Sequence, residues 1–331
     1  MTDGLILVTG SAGHLGEAIM RTLQSQGRHA RGIDVKSSPF TNAVGSITDS
    51  AFVRGHLRDV TAVIHCATLH KPHVETHSAR EFIDTNITGT LMLLEESVLA
   101  GVRAFVYTST TSAFGSALSP PTGQPAAWVT ESTTPIPRNI YGVTKGAAES
   151  VCELFHRRDA MPVVILRTAR FFPEPDDDPA VRSAYAAANV QVNELLYRRA
   201  DIEDVVSAHL LAVERAPRIG FGRYIISATT PFSRQDLLDL RQAMPDVVRR
   251  YVPEADAVYA ERGWRMFAGI DRVYVNDLAR RELGWQPRYD FAHAIAQLRA
   301  GHDHRSELAQ TIGAKGYHPA ELANGMYPFN S

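Results

Sequence analysis

Tyr141 and Lys145 are two side chains whose types and spacing could support proton transfer. They stand four residues apart in RNIYGVTKGAAE (138–149), and positions i and i+4 of a helix share one face. An ammonium group nearby favours a phenolate, so we expect the pKa of Tyr141 to fall from about 10 toward neutrality. Such a tyrosine can exchange a proton with an alcohol or a carbonyl. Taken alone, the pair could also be a chance one between common surface residues.

A glycine-rich turn near the start of the chain is a second candidate site. In VTGSAGHLGEAI (8–19), Gly10, Gly13 and Gly16 follow an apolar run and precede a helical pattern. Glycines permit a tight turn and the close approach of a pyrophosphate, and the N-terminus of the helix supplies free N–H groups. A tight turn between a strand and a helix would explain one glycine but not three. We therefore expect this turn to bind a dinucleotide.

The end of the second apolar run carries a carboxylate at Asp34, 18 residues beyond Gly16. A carboxylate at this place in a dinucleotide-binding unit accepts hydrogen bonds from the hydroxyls of the adenosine ribose and repels a 2′-phosphate. We therefore expect the cofactor to be NAD rather than NADP. The neighbouring Arg31 and Lys36 weaken that preference, because a cation there would accommodate a 2′-phosphate.

Apolar runs that alternate with helical patterns should position these groups. Alternation with short links is typical of a parallel sheet covered by helices on both faces. We therefore predict an α/β fold with a Rossmann-type doubly wound parallel sheet. The predicted strands are 5–10, 29–34, 62–67, 103–110, 162–168 and 223–227, and the predicted helices are 14–26, 78–100, 139–158, 180–197, 203–216, 233–243, 276–283 and 290–313.

The alternation weakens after about residue 170, where FFPEPDDDP (171–179) is predicted to be a loop from its prolines and charges. We assign residues 1–170 to a dinucleotide-binding domain, to which parts of 200–230 return. Residues 171–331 are assigned to a smaller mixed α/β substrate-binding lobe, which ends in an irregular tail over 314–331.

Composition argues against several classes of protein. The 34 basic and 36 acidic residues give a net charge of −2, with no basic block that would favour a nucleic acid or a membrane surface. No apolar stretch approaches the roughly 20 residues that span a bilayer, and the first residues do not resemble a secretion signal. Two distant cysteines, Cys66 and Cys152, are too few for a disulfide framework. We expect a cytoplasmic protein without nucleic-acid or membrane partners.

The order and spacing of these motifs resemble those of the extended short-chain dehydrogenase/reductase superfamily, specifically its NAD-dependent epimerase/dehydratase family. The similarity is specific over residues 4–170 and looser to about residue 300. Besides the glycine turn and the Tyr141–Lys145 pair, the matching segments are HCAT (65–68), NITGT (86–90), STTSAFG (109–115), LRTARFF (166–172), ADIEDVVSAHLLAVE (200–214) and VNDLARRELGWQPRYDF (275–291).

The resemblance implies a role for each matched residue. Tyr141 would be the proton donor and acceptor, Lys145 its cationic partner and a ligand of the nicotinamide ribose, and Thr110 a hydrogen-bonding group for the substrate oxygen. The implied substrate-binding residues are His70, Thr111, Ser112 and Arg170. The implied cofactor-binding residues are Gly10, Ala12, Gly13, His14, Leu15, Gly16, Asp34, Ser46, Ile47, Cys66, Ala67, Thr68, Asn86, Thr108, Tyr141 and Lys145.

The resemblance implies hydride transfer at a secondary alcohol or ketone of a sugar or sugar-like small molecule. Members that bind nucleotide sugars devote a long segment to the nucleotide, whereas only 27 residues (173–199) fill that place here. Four acids lie near its start, Glu174, Asp176, Asp177 and Asp178, and they would repel a diphosphate unless they lie on a solvated loop. We therefore expect a substrate other than a nucleotide sugar. A UDP-glucose-type 4-epimerase with bound NAD is the alternative.

Other reactions and roles have less support. The dehydratases of the family carry an Asp–Glu pair after the catalytic threonine, whereas Thr111 and Ser112 stand here, so dehydration is disfavoured. A non-catalytic NAD-binding regulator is a further alternative, which the presence of Tyr141, Lys145 and Thr110 argues against. The family also implies a homodimer, formed through the helices predicted at 78–100 and 139–158.

Several histidines lie in HCATLHKPHVETH (65–77). His73 and His77 are one helical turn apart, a spacing that could bind zinc. No second group of ligands is evident in the sequence, and the segment falls on the family's loop beside the nicotinamide. We therefore predict no metal site. The histidines then either line the substrate pocket, as we assign His70, or lie on the surface.

Overall fold

Seven parallel strands form the central sheet in the computed structural model, which describes residues 4–176 and 178–316. The order across the sheet is β3-β2-β1-β4-β5-β7-β8, and it confirms the predicted doubly wound topology. The strands of this sheet and of a second, two-stranded sheet are β1 (Leu5–Thr9), β2 (Ala30–Asp34), β3 (Ala43–Val44), β4 (Val60–His65), β5 (Ala104–Thr110), β6 (Ala127–Val129), β7 (Val163–Thr168), β8 (Phe221–Ile226) and β9 (Arg272–Tyr274).

Helices cover both faces of the sheet, so its central strands read as continuous apolar runs; all six residues of β7 are buried. None of the helices in the described ranges is long and apolar enough to cross a membrane. The helices are α1 (His14–Ser25), α2 (Ser50–His56), α3 (Ala79–Ile83), α4 (Gly89–Leu99), α5 (Ile140–Asp159), α6 (Pro179–Ala184), α7 (Ala187–Glu194), α8 (Ile202–Ile219), α9 (Leu237–Gln242), α10 (Met244–Tyr251), α11 (Ala255–Glu261), α12 (Asp277–Leu283), α13 (Phe291–Arg299) and α14 (Glu307–Ile312).

Three apolar clusters stabilise the fold. One lies between the sheet and α1, α8, α12 and α14, and a second between the opposite face and α2, α4 and α5. The third lies in the C-terminal lobe among α7, α9, α10, α11 and α13. The two-stranded sheet of that lobe pairs β6 with β9 in parallel, with Trp128 opposite Val273. A short segment from the first half of the chain is therefore part of the lobe.

Some predicted helices are interrupted, and three were missed. A π-helical turn at Asp84–Thr88 separates α3 from α4, and Gly301, at φ +79°, follows the end of α13. The missed helices are α2, α10 and α11. Pro245 stands in the first turn of α10, where its lack of an N–H group costs nothing, so it starts a helix rather than breaking one. Of the predicted tail, residues 317–331 lie outside the described ranges.

Candidate active site

A cleft with a volume of about 1250 Å³ opens beyond the carboxyl ends of β1, β4, β5 and β7, where doubly wound folds bind their ligands. Clefts for one small molecule have volumes of about 300–1,000 Å³. This cleft therefore has room for a dinucleotide together with a second molecule. All of the predicted site residues line it, with the exception of Asn86.

The glycine turn at one end of the cleft has no space for larger side chains. Gly10 has a φ of +73°, and a Cβ atom there would lie 2.7 Å from the backbone nitrogen of Ala67. A Cβ atom on Gly16 would overlap the carbonyl oxygen of Gly10. Helix α1 begins directly after this turn at His14, so its free N–H groups can bind an anion in the cleft. The turn therefore fits a pyrophosphate.

The Asp34 carboxylate is hydrogen-bonded to the turn after β1 and to the turn after β2. One oxygen of its carboxylate accepts a hydrogen bond from the Ala12 N–H group at 2.9 Å, and the other accepts one from the Lys36 N–H group at 2.9 Å. Each oxygen keeps further acceptor capacity, and Asp34 lines the cleft. This is the arrangement expected of a carboxylate that accepts hydrogen bonds from a ribose.

Tyr141 and Lys145 lie near the start of α5, which enters the cleft at its centre. The helix begins at Ile140 because the Asn139 side chain accepts a hydrogen bond from the Gly142 N–H group at 3.0 Å. Both side chains are buried, with 8% and 2% of their surfaces exposed. Thr110, at the end of β5, lines the same cleft and lies close enough to Tyr141 to lower the pKa of its hydroxyl group. The geometry therefore brings the three predicted catalytic residues together.

The expected effect of Lys145 on Tyr141 is wrong for the protein by itself. Burial raises the pKa of Tyr141 to about 12, against a lowering by Thr110. Burial also lowers the pKa of Lys145 to about 8, against a raising by Glu149. The ammonium group donates to the Thr108 carbonyl at 2.6 Å and lies 4.3 Å from the centre of the Tyr107 ring. Desolvation therefore outweighs the expected attraction between the pair.

Asn86 lies behind the cleft rather than in it, contrary to the expectation that it binds the cofactor. It is 1% exposed. Its Oδ1 accepts a hydrogen bond from the Leu69 N–H group at 2.8 Å, and its Nδ2 donates to Thr144 Oγ1 at 3.0 Å. Asn86 therefore holds the loop after β4 against α5, which carries Tyr141.

A neutral histidine holds the strands beneath the glycine turn. His65 is buried at the end of β4, with Nδ1 2.8 Å from Thr9 Oγ1 and Nε2 3.0 Å from Thr90 Oγ1. Burial, with a smaller contribution from Lys145, lowers the pKa of His65 to about 3. Thr9 Oγ1 also accepts a hydrogen bond from the Ala67 N–H group at 3.1 Å. These contacts fix the loop that forms the floor of the cleft.

Two of the four acids after β7 are buried rather than solvated. Glu174 and Asp176 are buried, and Asp177 lies outside the described residues. Glu174 lies 2.9 Å from His14 Nε2, and Asp176 forms an ion pair with Arg198. Asp178, which is exposed, caps α6 by accepting a hydrogen bond from the Ala180 N–H group. The buried charges are therefore compensated within the protein.

A buried carboxylate, Glu194, organises three arginines around the cleft. It is 0% exposed and lies 2.6 Å from both Arg198 and Arg199 and 3.8 Å from Arg170. Burial, the largest influence, raises the pKa of Glu194, but these three guanidinium groups together lower it to about 2. Arg170 and Arg198 also line the cleft.

Several residues that line the cleft were not predicted from the sequence, among them Arg198, Arg272, Tyr274 and Lys315. Arg272 extends from β9 and donates to Asp271 at 2.7 Å, while its buried Nε has no hydrogen-bond partner among the described residues. None of these residues belongs to a motif. Only the spacing of Glu194 and Arg198, one helical turn apart, could have indicated a pair.

The cysteines and histidines of the cleft show no sign of further chemistry. Cys66 lies close to Thr108, and burial raises its pKa to about 12, which makes it a poor nucleophile. Both cysteines are free thiols. Across residues 4–176 and 178–316, no three His, Cys, Asp or Glu side chains are grouped so as to hold a metal ion.

Residues 6–225 match the sequence model of the NAD dependent epimerase/dehydratase family. The chain belongs to this family. It is therefore an NAD-dependent enzyme, with NAD as its cofactor.

Two curated relatives and one solved structure illustrate the similarity. The y4nG protein of Sinorhizobium fredii is 34% identical over 169 residues, which cover 49% of this chain and only 39% of that protein. A UDP-glucose 4-epimerase of Rhizobium meliloti is 28% identical, with 93% of this chain and 99% of that one covered. A short-chain dehydrogenase/reductase superfamily protein of Agrobacterium tumefaciens, crystallised with NAD, is 24% identical. It superimposes with a TM-score of 0.64 and covers 90% and 97% of the two chains, which supports the fold.

Proposed function

We propose that this enzyme is an epimerase that inverts a secondary alcohol of a nucleoside-diphosphate sugar. The observation that carries the proposal is the charge of the cleft. Two of the four acids expected to repel a diphosphate are buried, Glu174 against His14 and Asp176 in an ion pair with Arg198, and arginine side chains line the cleft. The similarity to a UDP-glucose 4-epimerase over nearly its whole length supports the same substrate class.

Arg170, Arg198 and Arg272 supply the positive charge of the substrate end. Guanidinium groups bind phosphate through two parallel hydrogen bonds, and they remain charged when buried. Arg272 lines the cleft and donates through one terminal nitrogen to Asp271. A guanidinium group has five N–H donors, so Arg272 could also donate to a diphosphate.

A smaller substrate is the second candidate, and the length of one segment favours it. Only 27 residues, 173–199, stand where nucleotide-sugar enzymes of the family have a longer segment. They form the short helices α6 and α7. Arg272 and Tyr274 of β9 reach the cleft from elsewhere in the lobe, so a short segment does not leave the substrate end without polar groups.

The catalytic roles follow from the geometry around Tyr141. When bound, NAD accepts a hydride from the carbon of the alcohol and can return it. Tyr141 would take the proton of the same hydroxyl and give it back, while Thr110, which lines the cleft near Tyr141, would hydrogen-bond the substrate oxygen. Because burial raises the pKa of Tyr141 to about 12, the phenolate needs added positive charge, which Lys145 and an oxidised nicotinamide would provide.

Thr111 and Ser112 set a limit on the reaction. They lie beside Thr110 in the cleft and have hydroxyl groups in place of the two carboxyl groups by which the family's dehydratases remove a hydroxyl. Neither can act as a strong acid near neutral pH. Their hydroxyl groups are suited instead to hydrogen bonds with the sugar. The proposal is therefore epimerisation without dehydration.

The proposal is tested by incubating the enzyme and NAD with matched sugars. UDP-glucose, dTDP-glucose and GDP-mannose are compared with free glucose and glucuronic acid. Products are identified by nuclear magnetic resonance while the nicotinamide absorbance is followed. We expect an epimer from a nucleotide sugar with no net NADH. Steady accumulation of NADH with a free sugar would favour the second candidate, a dehydrogenase of small sugars.

We further propose that the enzyme is a homodimer that pairs through α4 and α5. Apolar side chains on the outer faces of these helices are exposed, among them Leu99 (78%), Val143 (50%) and Leu154 (46%). Removing such surface from water favours association. The Leu99→Asp variant should be monomeric by light scattering, and a dimer of unchanged stability would contradict the proposed contact.

A further inference from the structure

The segment that follows α14, residues 313–316, crosses the cofactor end of the cleft; we call it the strap. Lys315 and Gly316 line the cleft beside the glycine turn. Lys315 Nζ donates a hydrogen bond to the Ala12 carbonyl at 3.1 Å and forms an ion pair with Glu17. The strap thus contacts both the turn and the first turn of α1, although some 300 residues separate them in the sequence.

Glu174 connects the strap to two other parts of the cleft. Its Oε1 accepts a hydrogen bond from the Lys315 N–H group at 3.0 Å and lies 3.4 Å from the Gly316 nitrogen. The same oxygen lies 2.9 Å from His14 Nε2, at the start of α1. One buried carboxylate therefore joins the strap, the helix beneath the pyrophosphate site and the segment after β7.

The carboxylate of Glu17 places a negative charge beside the glycine turn, and a cation is needed there to compensate it. Glu17 is an acid in the first turn of α1 and is buried. A negative charge there would oppose a pyrophosphate at the end of the same helix. Burial, the largest influence, raises the pKa of Glu17, but Lys315 and Arg21 together hold it below its ordinary value. Lys315 therefore compensates a carboxylate that remains charged.

We propose that Lys315 is a cofactor-positioning residue and that the strap must open before NAD can leave. In this structure the strap joins the glycine turn to the segment after β7, beside the place where the turn would bind a pyrophosphate. Exchange of the cofactor then requires the hydrogen bonds and ion pairs of Lys315 to break. This deepens the proposed function and rests on it in one respect, because an epimerase must retain its reduced cofactor between the two hydride transfers.

The test measures release of NAD without any substrate. Protein loaded with NAD is passed through a desalting column, and the NAD that remains bound is measured over time. Hydrogen bonds to charged groups are strong enough that we expect Lys315→Met to release NAD about tenfold to a hundredfold faster. Lys315→Arg keeps the charge and should release NAD at close to the native rate. Gln310→Met changes an exposed residue of α14 and is the matched control.

A double variant distinguishes neutralisation of Glu17 by Lys315 from a general loss of stability. If Lys315 acts by neutralising Glu17, then Glu17→Gln together with Lys315→Met should recover part of the lost retention. Thermal unfolding of the cofactor-free proteins is measured alongside. If Lys315→Met released NAD at the native rate, the proposal would be overturned. It would also be overturned if Gln310→Met released NAD as fast as Lys315→Met. Because no sugar is present, these results stand whether or not the enzyme proves to be an epimerase.

Discussion

The two ends of the cleft are built in different ways. At the cofactor end, the turns that follow β1 and β4 are held by backbone groups and neutral side chains such as His65 and Thr9, although the strap adds charged contacts beside them. At the substrate end, the polar groups are arginines held by carboxylates, of which Glu194 is the most buried. A change at the first end should alter binding and chemistry with little effect on stability, whereas a change at the second should also weaken the fold.

Tyr141→Phe is the variant with the largest expected effect, and it should act on chemistry alone. The ring remains in its buried place on α5, while the hydroxyl that would carry the proton is lost. Loss of a general acid–base group lowers turnover by about 10²- to 10⁴-fold. NAD affinity, measured by fluorescence titration, and the free energy of unfolding should both stay close to native. Turnover within a few-fold of native would show that another group moves the proton.

Glu194→Gln should mainly lower the free energy of unfolding, because Glu194 belongs to the substrate end of the cleft. Removing one partner of a buried ion pair costs about 3–5 kcal/mol of unfolding free energy, and here three arginines lose their shared carboxylate. Denaturant unfolding measures the loss. A loss as small as that of a surface ion pair, below about 1 kcal/mol, would mean that the arginines do not depend on Glu194.

The pH dependence of the free energy of unfolding is a second test of the role of Glu194. The pKa of Glu194 is about 2 in the folded protein, below its ordinary value of 4.5, because the effect of three guanidinium groups exceeds that of burial. The stability that this group contributes is therefore complete above pH 4.5 and is lost as the pH falls from 4.5 to 2. Glu194→Gln should lose less stability than the native protein over that interval. Equal losses in the two proteins would contradict the pairing.

Arg272→Met should separate substrate binding from catalysis. Losing a hydrogen bond to a charged group costs about 1.5–3 kcal/mol, so we expect KM for the nucleotide sugar to rise at least tenfold with little change in kcat. Arg281→Met is a matched control, because Arg281 lies on α12 with 68% of its side chain exposed. The same KM in both variants would show that Arg272 does not touch the substrate.

Asn139→Ala should have the smallest effect of these variants. It removes the side chain that accepts a hydrogen bond from the Gly142 N–H group at the start of α5. Loss of such a cap costs about 1 kcal/mol, and Asn139→Asp should retain most of the native stability. The measurement is denaturant unfolding. A large loss of activity without a loss of stability would mean that the cap positions Tyr141 rather than the helix as a whole.

The cofactor end could be predicted from the sequence because its geometry is local. Gly10 has a positive φ of +73°, and a Cβ atom on Gly16 would meet the backbone of Gly10 only six residues away, so both positions favour glycine for local reasons. Tyr141 and Lys145 share a helix, so their spacing alone brings them together. The substrate end depends on pairs that are distant in the chain, such as Asp176 with Arg198, and on β9, which pairs with β6 across more than 140 residues. No spacing rule predicts such pairs.

The burial of individual side chains also could not be predicted from the sequence. The acids after β7 looked like a solvated loop because four of them stand together, yet Glu174 is 2% exposed. In the same way, Tyr141 and Lys145 were expected to act on each other as if partly solvated, whereas desolvation dominates both groups. Asn86 matched a motif and was assigned to the cofactor, although it hydrogen-bonds the protein behind the cleft.

One labelling experiment tests the central claim most directly. A UDP-sugar carrying deuterium on the carbon of the reacting alcohol is converted in ordinary water, and the product is analysed by nuclear magnetic resonance. If the hydride leaves and returns within one closed cleft while Tyr141 carries the proton, the epimer will retain deuterium on that carbon. An epimer that has replaced its deuterium by hydrogen from water would contradict the account.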